Sequence, residues 1–172
     1  KTGVEVASGA KVLTKGNATI DSNNGAVAVQ GTVKAGDFVV NEETGVTTPL
    51  DPTAATLGIT GKSVTVNAGK VAASGKLTVT ANGEGETDTG VQIQNGSKVA
   101  SVGDIEIGST KGVSVDGSTV AARGKEDITG ATGVTVNNAT VESVGNLTVT
   151  ATKGDLVVKG ASKLGTDGKL TV

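Results

Sequence analysis

Apolar and polar positions along this chain alternate in short runs instead of recurring at helical spacing. Val134 and Val136 flank Thr135, Leu147 and Val149 flank Thr148, and a third short apolar piece stands between them at Val141. A period of two marks a half-buried strand, whose successive side chains point to opposite faces. The stretch Gly133 to Val149 therefore predicts three short strands, separated by the turn-prone Asn137-Asn138 and by Gly145. So many corners in so few residues suit a sheet only if the unit recurs and stacks.

The unit does recur. A Gly stands four residues after an apolar residue and is followed at Gly+2 and Gly+4 by residues that are usually apolar. Copies are Val12/Gly16/Ala18/Ile20, Val71/Gly75/Leu77/Val79, Val99/Gly103/Ile105/Ile107, Val120/Gly124/Glu126/Ile128, Val141/Gly145/Leu147/Val149 and Leu164/Gly168/Leu170/Val172. Gly36/Phe38/Val40 reads as a further copy with a shortened lead from Val33. The glycines lie 20, 39, 28, 21, 21 and 23 residues apart, so a unit of roughly 21 residues fits all but two intervals.

A second column fixes the register. Seven or eight residues before the middle apolar residue stands another pair, as Val4-Glu5-Val6, Val64-Thr65-Val66, Val91-Gln92-Ile93, Val113-Ser114-Val115, Val134-Thr135-Val136 and Leu156-Val157-Val158. In four of these units the next residue is Asn67, Gln94, Asp116 or Asn137, a column expected to stack as an amide and carboxylate ladder at a corner.

No such unit can bury its inner face alone. Stacking like on like makes every ladder parallel and places successive units about 4.8 Å apart. The expected fold is all-β: a right-handed parallel β-helix, or β-solenoid, of about seven coils of roughly 21 residues with three short strands per coil. Such a stack is a rod of roughly 34 Å. The small column Ala73, Ser101, Ala122 and Ser143 suggests a thin cross-section.

Two places break the period. Residues 41–56 contain both prolines of the chain, and Pro cannot donate to a central ladder, so this stretch is expected to leave the stack. Residues 82–89 insert a loop carrying Glu84, Glu86 and Asp88. Residues 1–172 otherwise read as a single β-helix segment that begins and ends in mid-pattern, an interior slice of a longer rod.

Composition narrows the function. The 172 residues include 27 Gly and one Phe but no Trp, Tyr, Met, Cys or His. Without Cys and His there are no disulfides, thiol nucleophiles, thiolate metal sites or imidazole bases, which removes most enzyme classes. A net charge of −2 offers no overall basic field, so nucleic acid is not an expected partner. No apolar run is long enough for a spanning helix, so membrane insertion is not expected either. No cofactor is expected.

Candidate sites are correspondingly few. Glu84, Glu86 and Asp88 are candidate Ca²⁺ ligands because hard cations take carboxylate oxygens. The glycine-rich aspartate repeat of calcium-binding solenoids is missing, however, and solvation is the favoured reading. Asn17, Asn95, Asn138 and Asn146 each head an Asn-x-Ser/Thr sequon and are candidate glycosylation acceptors, in a repeat whose turns are rich in Asn and Thr anyway. Arg123, Lys125, Glu126 and Asp127 form the densest charge cluster. Glu126 occupies an inward position, and an unpaired buried carboxylate is costly, so a bulge is expected to turn it outward; the cluster is then a candidate recognition patch, with a local defect of the repeat the favoured reading. Gly61-Lys62-Ser63 and Asp88-Thr89-Gly90 resemble a phosphate loop and an aspartic-protease motif. The first lacks its leading Gly and the second has one copy where two are needed.

The run Gly-Val-Thr-Val-Asn-Asn-Ala-Thr-Val-Glu-Ser-Val-Gly-Asn-Leu-Thr-Val-Thr-Ala from Gly133 resembles the degenerate repeats of filamentous haemagglutinin-type exoproteins. These are the large secreted partners of bacterial two-partner secretion, and include adhesins and contact-dependent growth-inhibition proteins. The likeness covers nearly the whole chain except 41–56. It implies a secreted or bacterial cell-surface location, and a structural and adhesive shaft without catalysis. The implied partners are a host-cell receptor, glycan, extracellular matrix or other bacterial cells, with an outer-membrane secretion transporter serving the parent protein. Two alternatives are the stalk of a growth-inhibition toxin-delivery protein and, from another class, a β-helical polysaccharide lyase or hydrolase.

Overall fold

Each alternating run becomes a strand of two to five residues, and the corners between runs turn the chain through three strands per coil. The computed structural model describes residues 2–40, 47–49, 54–86 and 88–172. Coil 1 comprises Thr2–Val6, Lys11–Thr14 and Ala18–Asp21, and coil 2 comprises Ala26–Val29, Thr32–Ala35 and Leu57–Gly61. Coil 3 follows as Val64–Asn67, Lys70–Ala73 and Leu77–Ala81, and coil 4 as Val91–Gln94, Lys98–Ser101 and Ile105–Ser109. Coil 5 is Gly112–Asp116, Thr119–Ala122 and Glu126–Gly130; coil 6 is Gly133–Asn137, Thr140–Ser143 and Leu147–Ala151. Coil 7 is Asp155–Lys159, Lys163–Thr166 and Leu170–Thr171. First, second and third strands of all coils assemble into three seven-stranded sheets, each running through the coils in order. The strands within them pair in parallel. The chain is a parallel β-helix.

Its interior is built from columns. In the first sheet Val27, Val64, Val91, Val113 and Val134 stack in register, as do Val29, Val66, Ile93, Val115 and Val136. In the second sheet Val33, Val71, Val99, Val120 and Val141 stack beside the smaller Ala35, Ala73, Ser101, Ala122 and Ser143. In the third, Ile59, Val79, Ile107, Ile128 and Val149 share a column. These side chains are almost wholly buried. Burying a Val or Leu side chain is worth ~1.5–3 kcal/mol, so branched aliphatics repeated in every coil make a core without aromatic residues.

The recurring Gly has a reason that only the stack reveals. A Cβ on Gly103 would lie 2.7 Å from the carbonyl carbon of Gly75, and one on Gly145 would lie 2.7 Å from the carbonyl oxygen of Gly124. Coil spacing, through backbone contact at this corner, excludes a side chain from the column. At Gly16, in the first coil, nothing lies within 4 Å of the same position.

The break after the second strand of coil 2 corrects the seventh copy expected at Gly36/Phe38/Val40. Phe38–Val40 pairs antiparallel with Thr47–Pro49, outside the three sheets, and Leu57 and Ile59 take the inward positions instead, in register with Ala18 and Ile20. Phe38 is 2% exposed yet is no part of the interior cluster. It lies beside Lys34, whose ammonium sits 4.7 Å above its ring and donates to the Phe38 carbonyl at 2.6 Å. Gly36, at φ +98°, still donates to Thr14 of coil 1 as the chain turns away. The ladder resumes by Ala55, whose amide donates to Ser74 Oγ and whose carbonyl accepts from Gly75. Of the break expected at 41–56, residues 41–46 and 50–53 lie outside the described residues.

Candidate functional site

The expected corner ladder exists as a column and differs in its bonding. Asn67, Gln94, Asp116 and Asn137 are register partners in successive coils. Asn137 Nδ2 donates to Asp116 Oδ1 at 2.7 Å, whereas Asn67 Oδ1 accepts from Asn95, one residue beyond Gln94, at 2.7 Å. The residues following the column, Ala68, Asn95, Gly117, Asn138 and Gly160, all have φ between 48° and 66°. This left-handed turn makes the corner, and Asn and Gly tolerate it best.

Behind it runs a serine column that sequence reasoning missed. Ser97 Oγ donates to Gln94 O and accepts from Gly69 N, Ser118 Oγ donates to Asp116 O and accepts from Ser97 N, and Ser162 Oγ donates to Lys159 O and accepts from Ala139 N. Each hydroxyl closes its own turn and holds the preceding coil's amide, so backbone groups at the corner are paired from coil to coil. The available signal was a Ser two or three residues after the ladder position.

All four sequon asparagines are exposed, and all four side chains are already bonded. Asn17 Oδ1 accepts from Thr56 N at 2.9 Å, Asn138 Oδ1 from Ala161 N at 3.0 Å and Asn146 Oδ1 from Lys169 N at 3.0 Å, each pinning one coil to the next. Asp104 does the same for Lys125 N at 2.9 Å. Asn95 uses Nδ2, the atom to which a glycan would attach. The Asn-rich corners thus have a structural purpose whether or not sugar is added.

In the 82–89 loop, Glu84 and Glu86 are exposed, while Asp88 is half-buried and accepts from Gly85 N within the loop at 2.7 Å. Residue 87 lies outside the described residues. Among the described residues no group of three or more His, Cys, Asp or Glu is gathered closely enough to hold a metal ion.

The charge cluster is split between a corner, which holds Arg123 and Lys125, and the two faces of the strand Glu126–Gly130, and the expected bulge at Glu126 is corrected. Glu126 stays in register between Ile105 and Leu147, is 0% exposed, and neither carboxyl oxygen has a hydrogen-bond partner. Burial, with the neighbouring Asp127 charge second, pushes its carboxyl well above the usual carboxylate range. A one-residue slip would turn the following side chains to the opposite face, exposing Ile128 and burying Asp127. Keeping the carboxyl inside leaves those neighbours in their columns. Arg123 and Lys125 are exposed, and Asp127 is half-buried on the outer face, 3.5 Å from Lys125 Nζ. The pairing extends on the outer face to Lys76 and Glu106; their hydrogen bond raises the lysine pKa.

One apolar groove is a feature the sequence did not suggest. On the outer face of the second sheet, Lys11, Leu13, Thr32, Lys34, Lys70, Ala72, Lys98 and Ala100 line a groove of about 470 Å³ together with Phe38. Lys11, Thr32, Lys70 and Lys98 share one register column, and Leu13, Lys34, Ala72 and Ala100 share another. The lysines precede inward valines, as Lys11-Val12, Lys70-Val71 and Lys98-Val99, so alternation sends them outward. No carboxylate is among the described lining residues. Further along the same face Glu142 pairs with Lys163, and the excess positive charge ends there. A net charge of −2 conceals this segregation. Chemically, the groove offers ammonium groups beside a small apolar floor.

Comparisons with known protein families, with curated proteins and with solved structures find no match.

Proposed function

We propose that this chain is part of the shaft of a large secreted bacterial surface adhesin, attaching to host cells or to other bacteria without catalysis. One observation carries the reading: seven coils keep a common register through an outward excursion in coil 2 and a misplaced carboxyl in coil 5. Such a stack maintains a rigid interior while its outer faces vary, which suits a spacer that also presents contact surfaces. Weak contacts spread along a rod add up by avidity, so no deep pocket is required. The parent protein would leave the cell through an outer-membrane transporter, in keeping with the repeat resemblance.

The test is binding of the purified chain to an array of glycans and extracellular-matrix proteins, together with adhesion of chain-coated beads to epithelial and bacterial cells. Saturable binding to a member of either set is expected. Background binding on the array and by the beads would refute the adhesive reading.

A further inference from the structure

We propose that the lysine-lined groove on the second sheet binds a linear acidic polysaccharide carrying one carboxylate per sugar, laid along the solenoid axis over coils 1–4. The inference deepens the adhesive reading and rests on it for biological context only.

Four coils contribute one cation each: Lys11 from coil 1, Lys34 from coil 2, Lys70 from coil 3 and Lys98 from coil 4. Lys11, Lys70 and Lys98 stand in one column, whose positions repeat about every 4.8 Å along the axis, with Thr32 in the place of a lysine in coil 2 and Lys34 one outward column to the side, so the charges run along the axis instead of meeting at a point. A line of single cations matches an extended polymer with one acid group per ring. A densely sulfated chain would leave much of its charge uncompensated in the same groove. The floor of Leu13, Ala72 and Ala100 is apolar and fits the C–H face of a sugar, while Thr32 offers a hydroxyl between the lysines.

Other polymers fit less well. The sheet face has its backbone groups paired along the stack, so it offers no edge to which an acidic peptide could add as a strand. Single-stranded nucleic acid is gripped by stacking its bases on open aromatic rings, and Phe38 is 2% exposed. Lys34 already donates to the Phe38 carbonyl, and Lys70 and Lys98 also interact within the chain. Each ammonium carries three donors, so the proposal depends on the placement of the charges and not on their being unoccupied.

The experiment compares the chain with two triple variants of equal net charge: Lys11→Gln/Lys70→Gln/Lys98→Gln in the groove, and Lys125→Gln/Lys153→Gln/Lys169→Gln away from it. Melting curves establish that both are folded. Polygalacturonate is the probe, titrated at low and high salt. The chain and the control triple are expected to bind alike, with affinity falling as salt rises. The groove triple should lose about tenfold, the sum of three modest surface ion pairs. Equal losses in the two triples would overturn the groove. So would undiminished binding of the fully methyl-esterified polymer, or tighter binding of heparin or oligothymidylate than of polygalacturonate. Cell adhesion that persists when polygalacturonate does not bind would overturn the groove and leave the adhesive reading intact. Polymer binding by beads that attach to no cell would do the reverse.

Discussion

Coil 2 and coil 5 both break the repeat, and they break it in opposite directions. In coil 2 the chain leaves the stack after Gly36, buries its one Phe outside the interior cluster, and rejoins with Leu57 and Ile59 in the column. In coil 5 the backbone does not deviate at all, and the odd residue, Glu126, is carried into the core unbonded. The difference lies in where each disturbance can be absorbed. Extra residues at a corner cost loop-closure entropy that grows slowly with length, and the ladder on either side stays intact. A polar residue inside a strand can escape only by shifting register, which would turn out its good neighbours as well. The solenoid therefore expels insertions and retains substitutions.

The largest effect should come from adding a second inward charge. Val136, 0% exposed between Val115 and Val158, becomes uncompensated when changed to Asp, and Val136→Asp should unfold or fray the stack at the cost of several kcal/mol. Lys153→Ala, at an exposed turn, should stay within about 0.5 kcal/mol. Thermal melts followed by circular dichroism make the comparison, and equal melting temperatures would sink the stacking account.

Next comes the exchange between Phe38 and Leu57. Leu57→Ala opens a cavity in the third sheet's column and should cost ~2–5 kcal/mol of global stability. Phe38→Ala removes a larger side chain but releases only the excursion, a local opening that leaves the coils paired. Denaturant melts should rank Leu57→Ala as the more damaging, and the reverse order would return Phe38 to the core.

Glu126 gives a pH signature of unusual sign. Its folded-state pKa is raised, so the folded form keeps a proton that the unfolded chain loses above the ordinary carboxylate value of about 4.5. This contribution to stability is fully present below that value and is lost as pH rises toward the folded-state pKa, at up to about 1.4 kcal/mol per pH unit. Glu126→Leu, which continues the run from Ile105 to Leu147, should remove this dependence and raise stability by ~1–3 kcal/mol near pH 4.5 and by more at neutral pH. Melts at pH 4.5 and 7.5 decide it, and an unchanged difference between the two pH values in the variant would assign the effect elsewhere.

A smaller contrast concerns the Gly column. Gly145→Ala forces a methyl group against the backbone of Gly124 and should cost ~1–3 kcal/mol, whereas Gly16→Ala meets nothing and should be nearly silent. Comparable losses would mean that the column serves local turn conformation and not coil contact.

Much of this architecture was legible beforehand, and the legible parts share a cause. The Val-x-Val pairs and the Gly+2 and Gly+4 residues repeat at one interval, so alternation and period together place them in three stacked sheets. The ladder column Asn67, Gln94, Asp116 and Asn137 was located for the same reason. Its bonding was not, because a hydrogen bond depends on turn conformation as well as register. Asn95 shows this, reaching Asn67 from a left-handed position one residue away. The lysine groove was hidden because Lys11, Lys34, Lys70 and Lys98 are distant in sequence and unremarkable in the overall charge.

The sequence by itself determined the period, the inward columns and the parallel stack, because each follows from which residue types recur and how far apart. The tertiary structure alone decided that Leu57 and not Phe38 fills the column of coil 2, that Glu126 remains inside, and that four lysines share one face. Those outcomes depend on the residue one coil above and one coil below, and a chain read in one dimension does not show which alternatives those neighbours will permit.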